Sequence, residues 1–284
     1  MNAARGVAAT ASRQATRRGQ ARQDTISAAR RSSRCGPSST PETLGWRPEM
    51  ATTPRSQGQR RPGARRPTSS LVLLVRHGVT PTTGKVLPGR APGLHLADAG
   101  RRQAESLAAR LAAWAAPDGS NGAKRPRISA VYASPLERTR QTAAPIASAL
   151  GLRVKVDRGL LECDFGDWTG AELKSLSKLP EWTTVQRYPS GFRFPGGESF
   201  RAMQTRIVSS LATLASTHLG QTLVAVSHAD PIKAAVADAL GSHLDLFQRI
   251  VISPCSVTAI SYGPAGPSVL TVNSTAGLSE VVGP

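Results

Sequence analysis

A five-residue apolar run, Leu71 to Val75 (LVLLV), followed at once by Arg76-His77-Gly78, constrains this chain more than any other feature. It is too short for a buried helix and lacks the alternation of a half-exposed strand, so it predicts a strand buried on both faces. Such a strand needs cover on two sides, and the rest of the chain supplies it. Asp98 to Trp114 sets Ala104, Leu107, Ala108, Leu111 and Trp114 on one side of a helix. Ile128 to Ala133 predicts a second strand, and Leu136 to Leu150 a second helix, ended by Gly151. A short strand is expected at Arg153 to Val156. A long helix from about Glu198 to His218 places Phe200, Met203, Ile207, Leu211 and Leu214 three and four residues apart. Thr222 to Val226 is another buried strand, Pro231 to Leu240 another helix, and Val257 to Ser261 and Val269 to Val272 the last strands. Strands alternating with helices predict a three-layer α/β/α sandwich with a mostly parallel central sheet, spanning residues 70–275.

The net charge of +18 suggests nucleic-acid binding until it is divided by region. Residues 1–70 hold 14 Arg, no Lys and three acids, a net of +11, whereas the remainder nets +7. Residues 1–69, rich in Arg, Ala, Ser, Thr, Gly and Pro, cannot bury enough apolar surface to offset chain entropy and are expected to be a disordered tail. Three other accounts compete: an organelle transit peptide, a cationic arm for nucleic acid or anionic membrane, and a true start at Met50. Residues 276–284 form a short C-terminal tail. No apolar stretch reaches the roughly 18 to 20 residues of a membrane helix. Cys35, Cys163 and Cys255 are scattered and odd in number, so neither a disulfide framework nor a zinc site is indicated, and a cytoplasmic location is expected.

In a sheet of this kind active sites gather at the carboxyl ends of the strands. Arg76-His77-Gly78 follows the first strand, Ser134 to Arg138 the second, Glu162 follows Leu160-Leu161, and Ser227-His228 follows the strand at 222–226. Neutral imidazole is a good nucleophile near pH 7, and a phosphorus–nitrogen bond to histidine is labile to water. Arginine holds two phosphate oxygens at once and keeps its charge. A carboxylic acid beside the leaving oxygen can give a proton and later take one from water. Gly78 lets backbone approach an anion closely.

At these residues the chain resembles the histidine phosphatase superfamily, the phosphoglycerate mutase-like proteins. Leu96 to Ala104 is similar to the family's "LTxxGxxQA", Ser134 to Thr142 to "SxLxRxxQT", Glu162 to Gly170 to "ExxxGxWxG", and Pro195 to Ser199 to "PGGES". The likeness covers about residues 70–262. It implies that His77 is the phosphorylated nucleophile, that Arg76, Arg138 and His228 bind phosphate, and that Glu162 is the proton donor. Two positions depart from the pattern. Thr83 stands where the family often has a phosphate-contacting Asn. Ala229 and Asp230 follow the last histidine in place of Gly, and another branch takes its acid from an Asp just there, so Asp230 rivals Glu162.

The resemblance implies a metal-independent phosphatase that needs no cofactor and acts on a small anionic phosphorylated metabolite. A mutase of the phosphoglycerate type shares the pocket, but Val79, Thr80 and Thr83 stand where the mutases carry Glu-Ser and Trp-Asn. The loop Glu-Cys-Asp-Phe-Gly-Asp-Trp-Thr-Gly also differs from the mutases' "ERxYGxLxG". Together with Leu240 to Ile250, that loop resembles an actinobacterial subgroup often labelled phosphomutases. A catalytically idle phosphate-binding domain with a polyanion-binding tail is the non-enzyme rival. Arg90 and Arg140 are open between substrate contact and solvation. Neither a specific nucleic acid nor a membrane is an expected partner, and oligomeric state is not legible.

Overall fold

A computed structural model of the chain describes residues 69–116 and 127–276. The tail expected at 1–69, Ser69 apart, and the C-terminal tail after Ala276 lie outside the described residues.

The chain runs β1 (Ser70–Arg76), α1 (Asp98–Ala115), β2 (Ile128–Ala133), α2 (Glu137–Ala149), β3 (Val154–Val156), α3 (Leu173–Leu176) and α4 (Pro180–Arg187). It continues with α5 (Phe200–Thr217), β4 (Thr222–Ser227), α6 (Ala229–Ala239), β5 (Val257–Gly263) and β6 (Gly266–Ser274). Among the described residues the sheet has six strands, ordered β3-β2-β4-β1-β5-β6. The first four are mutually parallel, while β5 and β6 add an antiparallel edge. The mostly parallel sandwich is therefore correct, with an antiparallel end that the alternation of helices did not reveal.

β1 shows why LVLLV must be a central strand. Val72 and Leu74 face one core with Phe200, Ile207 and Leu211 of α5 and Ile232 of α6. Leu71, Leu73 and Val75 face the other with Leu107 and Leu111 of α1 and Ile146 of α2. Successive side chains of a strand point to opposite faces, so one apolar run serves two helical layers. Burying each such side chain contributes about 1.5–3 kcal/mol relative to exposure.

The helix ends differ from expectation for local reasons. α5 begins at Phe200 because Ser199 caps it, its Oγ accepting from Ala202 N at 3.1 Å. α6 begins at Ala229, ahead of Pro231, because a proline in the first helical turn lacks only an N–H that has no helical partner there. This brings the helix start directly onto His228.

The amino end of α1 is docked onto the residues after β1. Ala97 N donates to Val79 O at 3.0 Å, and Val79 N donates to Gln103 Oε1 at 3.1 Å. A Cβ on Gly100 would sit 2.1 Å from Val79 O, and one on Gly78 2.6 Å from Gly100 O. Gly100→Ala should therefore destabilise by about 2 kcal/mol or more through overpacking, although alanine in a free helix is favoured by about 1 kcal/mol. Urea denaturation checks this, and a stabilised variant would refute the close approach.

Candidate active site

The ends of β1, β2 and β4 open at one edge of the sheet, whereas Glu162 follows a 3-10 turn at Arg158–Leu160 and an irregular residue, where the sequence suggested a strand end. β1 and β4 pair in register from Leu71 with Thr222 to Arg76 with Ser227, which sets Arg76-His77 beside Ser227-His228. His77 N donates to Ser227 O at 3.0 Å. The two imidazole rings lie 5.2 Å apart between centroids at 63°.

His77 is 6% exposed and its Nδ1 lies 2.8 Å from Gly78 O. A carbonyl only accepts, so Nδ1 carries the proton and Nε2 keeps its lone pair. Burial, and after it the Arg138 guanidinium, pushes the imidazole pKa down to about 3. At neutral pH it is therefore an uncharged base.

Arg138 is fully buried in the first turn of α2. One of its donors, Nη2, reaches Gly89 O at 2.7 Å, while Nε and Nη1 have no hydrogen-bond acceptor in the protein. Arg76 repeats the pattern, with Nη1 on Ile252 O at 2.6 Å and a buried Nε that has no acceptor. Burial lowers both guanidinium pKa values, but from so high a start that both stay charged. Buried donors left unpaired cost about 1–3 kcal/mol each, more when charged. A fold that keeps three such nitrogens around one imidazole is built to receive an anion.

His228 is fully buried at the start of α6. Its Nε2 lies 2.9 Å from Ser134 Oγ, and its Nδ1 is 3.9 Å from Glu162 Oε2. Burial chiefly, then Arg138 and His77, holds its pKa well below the usual value. Glu162 is 7% exposed, and its Oε1 accepts from Cys163 N at 3.0 Å. Burial, with the negative charge of Asp230 second, raises its pKa to about 7 against the pull of Arg138 and Arg76. Both protonation states are then available near neutrality, as a group that gives and takes a proton requires.

The remaining expected residues make the following contacts. Gly78 N donates to Thr142 Oγ1 at 3.0 Å, and its missing side chain makes room for Gly100. Thr83 Oγ1 accepts from Thr80 N at 2.9 Å and lies 2.9 Å from Thr80 Oγ1, closing a local turn. Asp230 Oδ1 is 3.3 Å from Lys233 Nζ, and its charge also acts on Arg76 and Glu162. Arg140 is exposed, and Arg90 is committed to Glu198 and the Glu162 carbonyl at 2.9 Å each. Ser134, Thr142 and Gln103 were present in the motifs without a role; they bond His228, Gly78 N and the neighbouring Val79 N. Among the described residues no group of three or more His, Cys, Asp or Glu side chains is placed to hold a metal ion.

Residues 72–275 match the histidine phosphatase superfamily (branch 1), so the chain belongs to that superfamily. Within it, the chain is 29% identical over 222 residues to phosphoserine phosphatase 1 of Hydrogenobacter thermophilus, covering 74% of this chain and 94% of that one. Its fold is similar to that of a mycobacterial glucosyl-3-phosphoglycerate phosphatase, with a TM-score of 0.62 at 23% identity over 72% of this chain and 99% of the other. It is also similar to a phosphoserine phosphatase of Entamoeba histolytica in complex with phosphoserine, with a TM-score of 0.63 at 23% identity over 72% and 98% of the two chains.

Proposed function

We propose that this protein is a phosphatase that hydrolyses a small anionic phosphomonoester through a phosphohistidine on His77. The observation that carries this is the trio of buried guanidinium nitrogens without acceptors around an imidazole whose Nε2 lone pair is free. Arg76 and Arg138 hold the phosphoryl oxygens, with His228 completing the pocket, and offset their charge as the transition state loosens. Nε2 of His77 bonds to phosphorus as the bond to the leaving oxygen breaks, and the Glu162 carboxyl gives that oxygen its proton. Water then attacks phosphorus, Glu162 takes a proton from it, the P–N bond breaks, and inorganic phosphate leaves with His77 neutral again.

Glu162 is preferred to Asp230 as the donor because its carboxyl faces His228 in the pocket, while Asp230 is paired with Lys233. Gly78 and Thr83 take supporting parts, one for docking α1 and the other for shaping the turn at 80–83. The phosphatase relatives support a small phosphorylated metabolite as substrate. We take the Arg-rich segment 1–69 to be a tail outside the reaction, and the cytoplasm as the setting, since Cys163 and Cys255 are free, buried thiols. No helix of the described residues is long and apolar enough to cross a membrane.

Because two guanidinium groups do the work of charge neutralisation, the enzyme should release phosphate from an aryl phosphate at an undiminished rate in EDTA. No release from a folded sample would sink the phosphatase reading and turn the question to labelling of His77 by a bisphosphoglycerate.

A further inference from the structure

Behind the pocket lies a second ionic layer. Glu198 Oε2 accepts from Arg90 Nη2 at 2.9 Å, Arg206 Nη2 at 3.0 Å and Asp164 N at 3.3 Å, and its Oε1 accepts from Arg206 Nε at 3.0 Å. The two guanidinium groups direct further donors at the backbone that carries Glu162. Arg206 Nη1 reaches Gly159 O at 2.7 Å and Leu161 O at 2.9 Å, while Arg206 Nη2 and Arg90 Nε converge on Glu162 O at 3.2 and 2.9 Å. Leu161 to Phe165 belongs to no helix or strand, so these bonds replace the ladder that would otherwise hold it. Arg206 comes from α5, Arg90 from the loop after β1, and Glu198 from the turn before α5.

We propose that Glu198, with Arg90 and Arg206, is a positioning clamp that fixes the Glu162 carboxyl in the pocket and sets the charge it experiences. The inference rests on the reading of Glu162 as proton donor. None of the three would touch substrate; each acts through the Glu162 backbone. The clamp holds two cations against one carboxylate, with Asp164 Oδ2 a further 3.5 Å from Arg90. The charged groups that act most strongly on the Glu162 carboxyl are Asp230 from α6, Arg138 from α2 and Arg76 from β1, with His228 3.9 Å away and Cys163 N donating to it.

The test is a carbon-13 titration of the Glu162 carboxyl in protein with labelled glutamate side chains, assigned by the signal missing in Glu162→Gln. Glu198→Gln removes a negative charge, so the Glu162 midpoint should move to lower pH. Arg90→Gln removes a positive charge, so it should move to higher pH. Both variants should also lower kcat by about 10- to 100-fold, with KM changed by less than about threefold, because a small misplacement of the acid affects the chemical step. Loosening without a specific role would move both midpoints the same way, and that result, or no movement, overturns the clamp. If Glu198→Gln does not fold, an upward shift in Arg90→Gln supports the proposal and its absence overturns it. The titration needs no turnover, so a wild type without phosphatase activity would overturn the proposed function while the midpoints still decide the clamp.

Discussion

His77→Ala is expected to lower kcat for metal-independent phosphate release by about a millionfold, the order lost when a covalent nucleophile is removed from a hydrolase. The geometry gives no understudy. His228, the other imidazole in the pocket, has Nε2 on Ser134 Oγ at 2.9 Å and Nδ1 facing Glu162. What survives in the variant is attack by water on a phosphoryl group still held by Arg76 and Arg138. The His77 side chain gives up one hydrogen bond, to its neighbour's carbonyl, and a buried edge-on ring contact with His228, so stability should fall by about 1–3 kcal/mol and the variant should still fold. Rapid quench with a radiolabelled phosphomonoester reads the two halves of this prediction. Wild type should show acid-labile, base-stable label on protein and His77→Ala none, while thermal unfolding shows both to be folded. Retention of more than about a hundredth of the wild-type rate would mean that water, and not His77, attacks phosphorus.

The sequence made the pocket's members legible and left their supports dark, for a physical reason. Candidates for a nucleophile or an anion clamp are marked by side-chain chemistry after a strand, which singled out Arg76, His77, Arg138 and His228 without coordinates, while Glu162, which follows a 3-10 turn, was marked by its motif. A support works through backbone groups of residues remote in the chain. Gln103 is 24 residues from the Val79 N–H it satisfies, and Arg206 is 44 from the Glu162 carbonyl. No periodicity encodes such pairs. For the same reason Arg90 stood open between substrate and solvent, although its partners are Glu198 and the Glu162 backbone. The segment 171–197 was opaque in another way, since α3 has four residues and α4 eight, too few for a helical period to show. Packing determines them: Leu176 and Val185 are buried with Trp168 and Phe192 in the core on the α5 side of the sheet. The β5–β6 edge was legible as two strands, at Val257 to Ser261 and Val269 to Val272, but an alternation of strands and helices does not give their antiparallel direction.

Glu162→Gln is expected to lower kcat/KM for an alkyl phosphate by about 10²- to 10⁴-fold, the range of general acid catalysis, and far less for an aryl phosphate. An alkoxide is a poor leaving group and needs its proton in the transition state, whereas a phenolate leaves largely unaided. The same group dictates the pH profile. With its pKa raised to about 7, Glu162 is protonated below that value and able to donate; above it the acid form is lost. Wild-type kcat/KM on the alkyl ester should therefore fall by up to tenfold per pH unit as pH rises past 7. His77, held down to about 3, stays neutral throughout this range and contributes no limb of its own above about pH 4. The substrate's second phosphate ionisation, near pH 6, is shared by wild type and variant, so the ratio of their rates isolates Glu162. That ratio should collapse towards unity as pH climbs beyond 8, because the wild type then lacks the proton that glutamine never carried. A ratio flat across the range would take the donor role from Glu162 and pass it to Asp230, whose replacement by asparagine should then show the collapse instead.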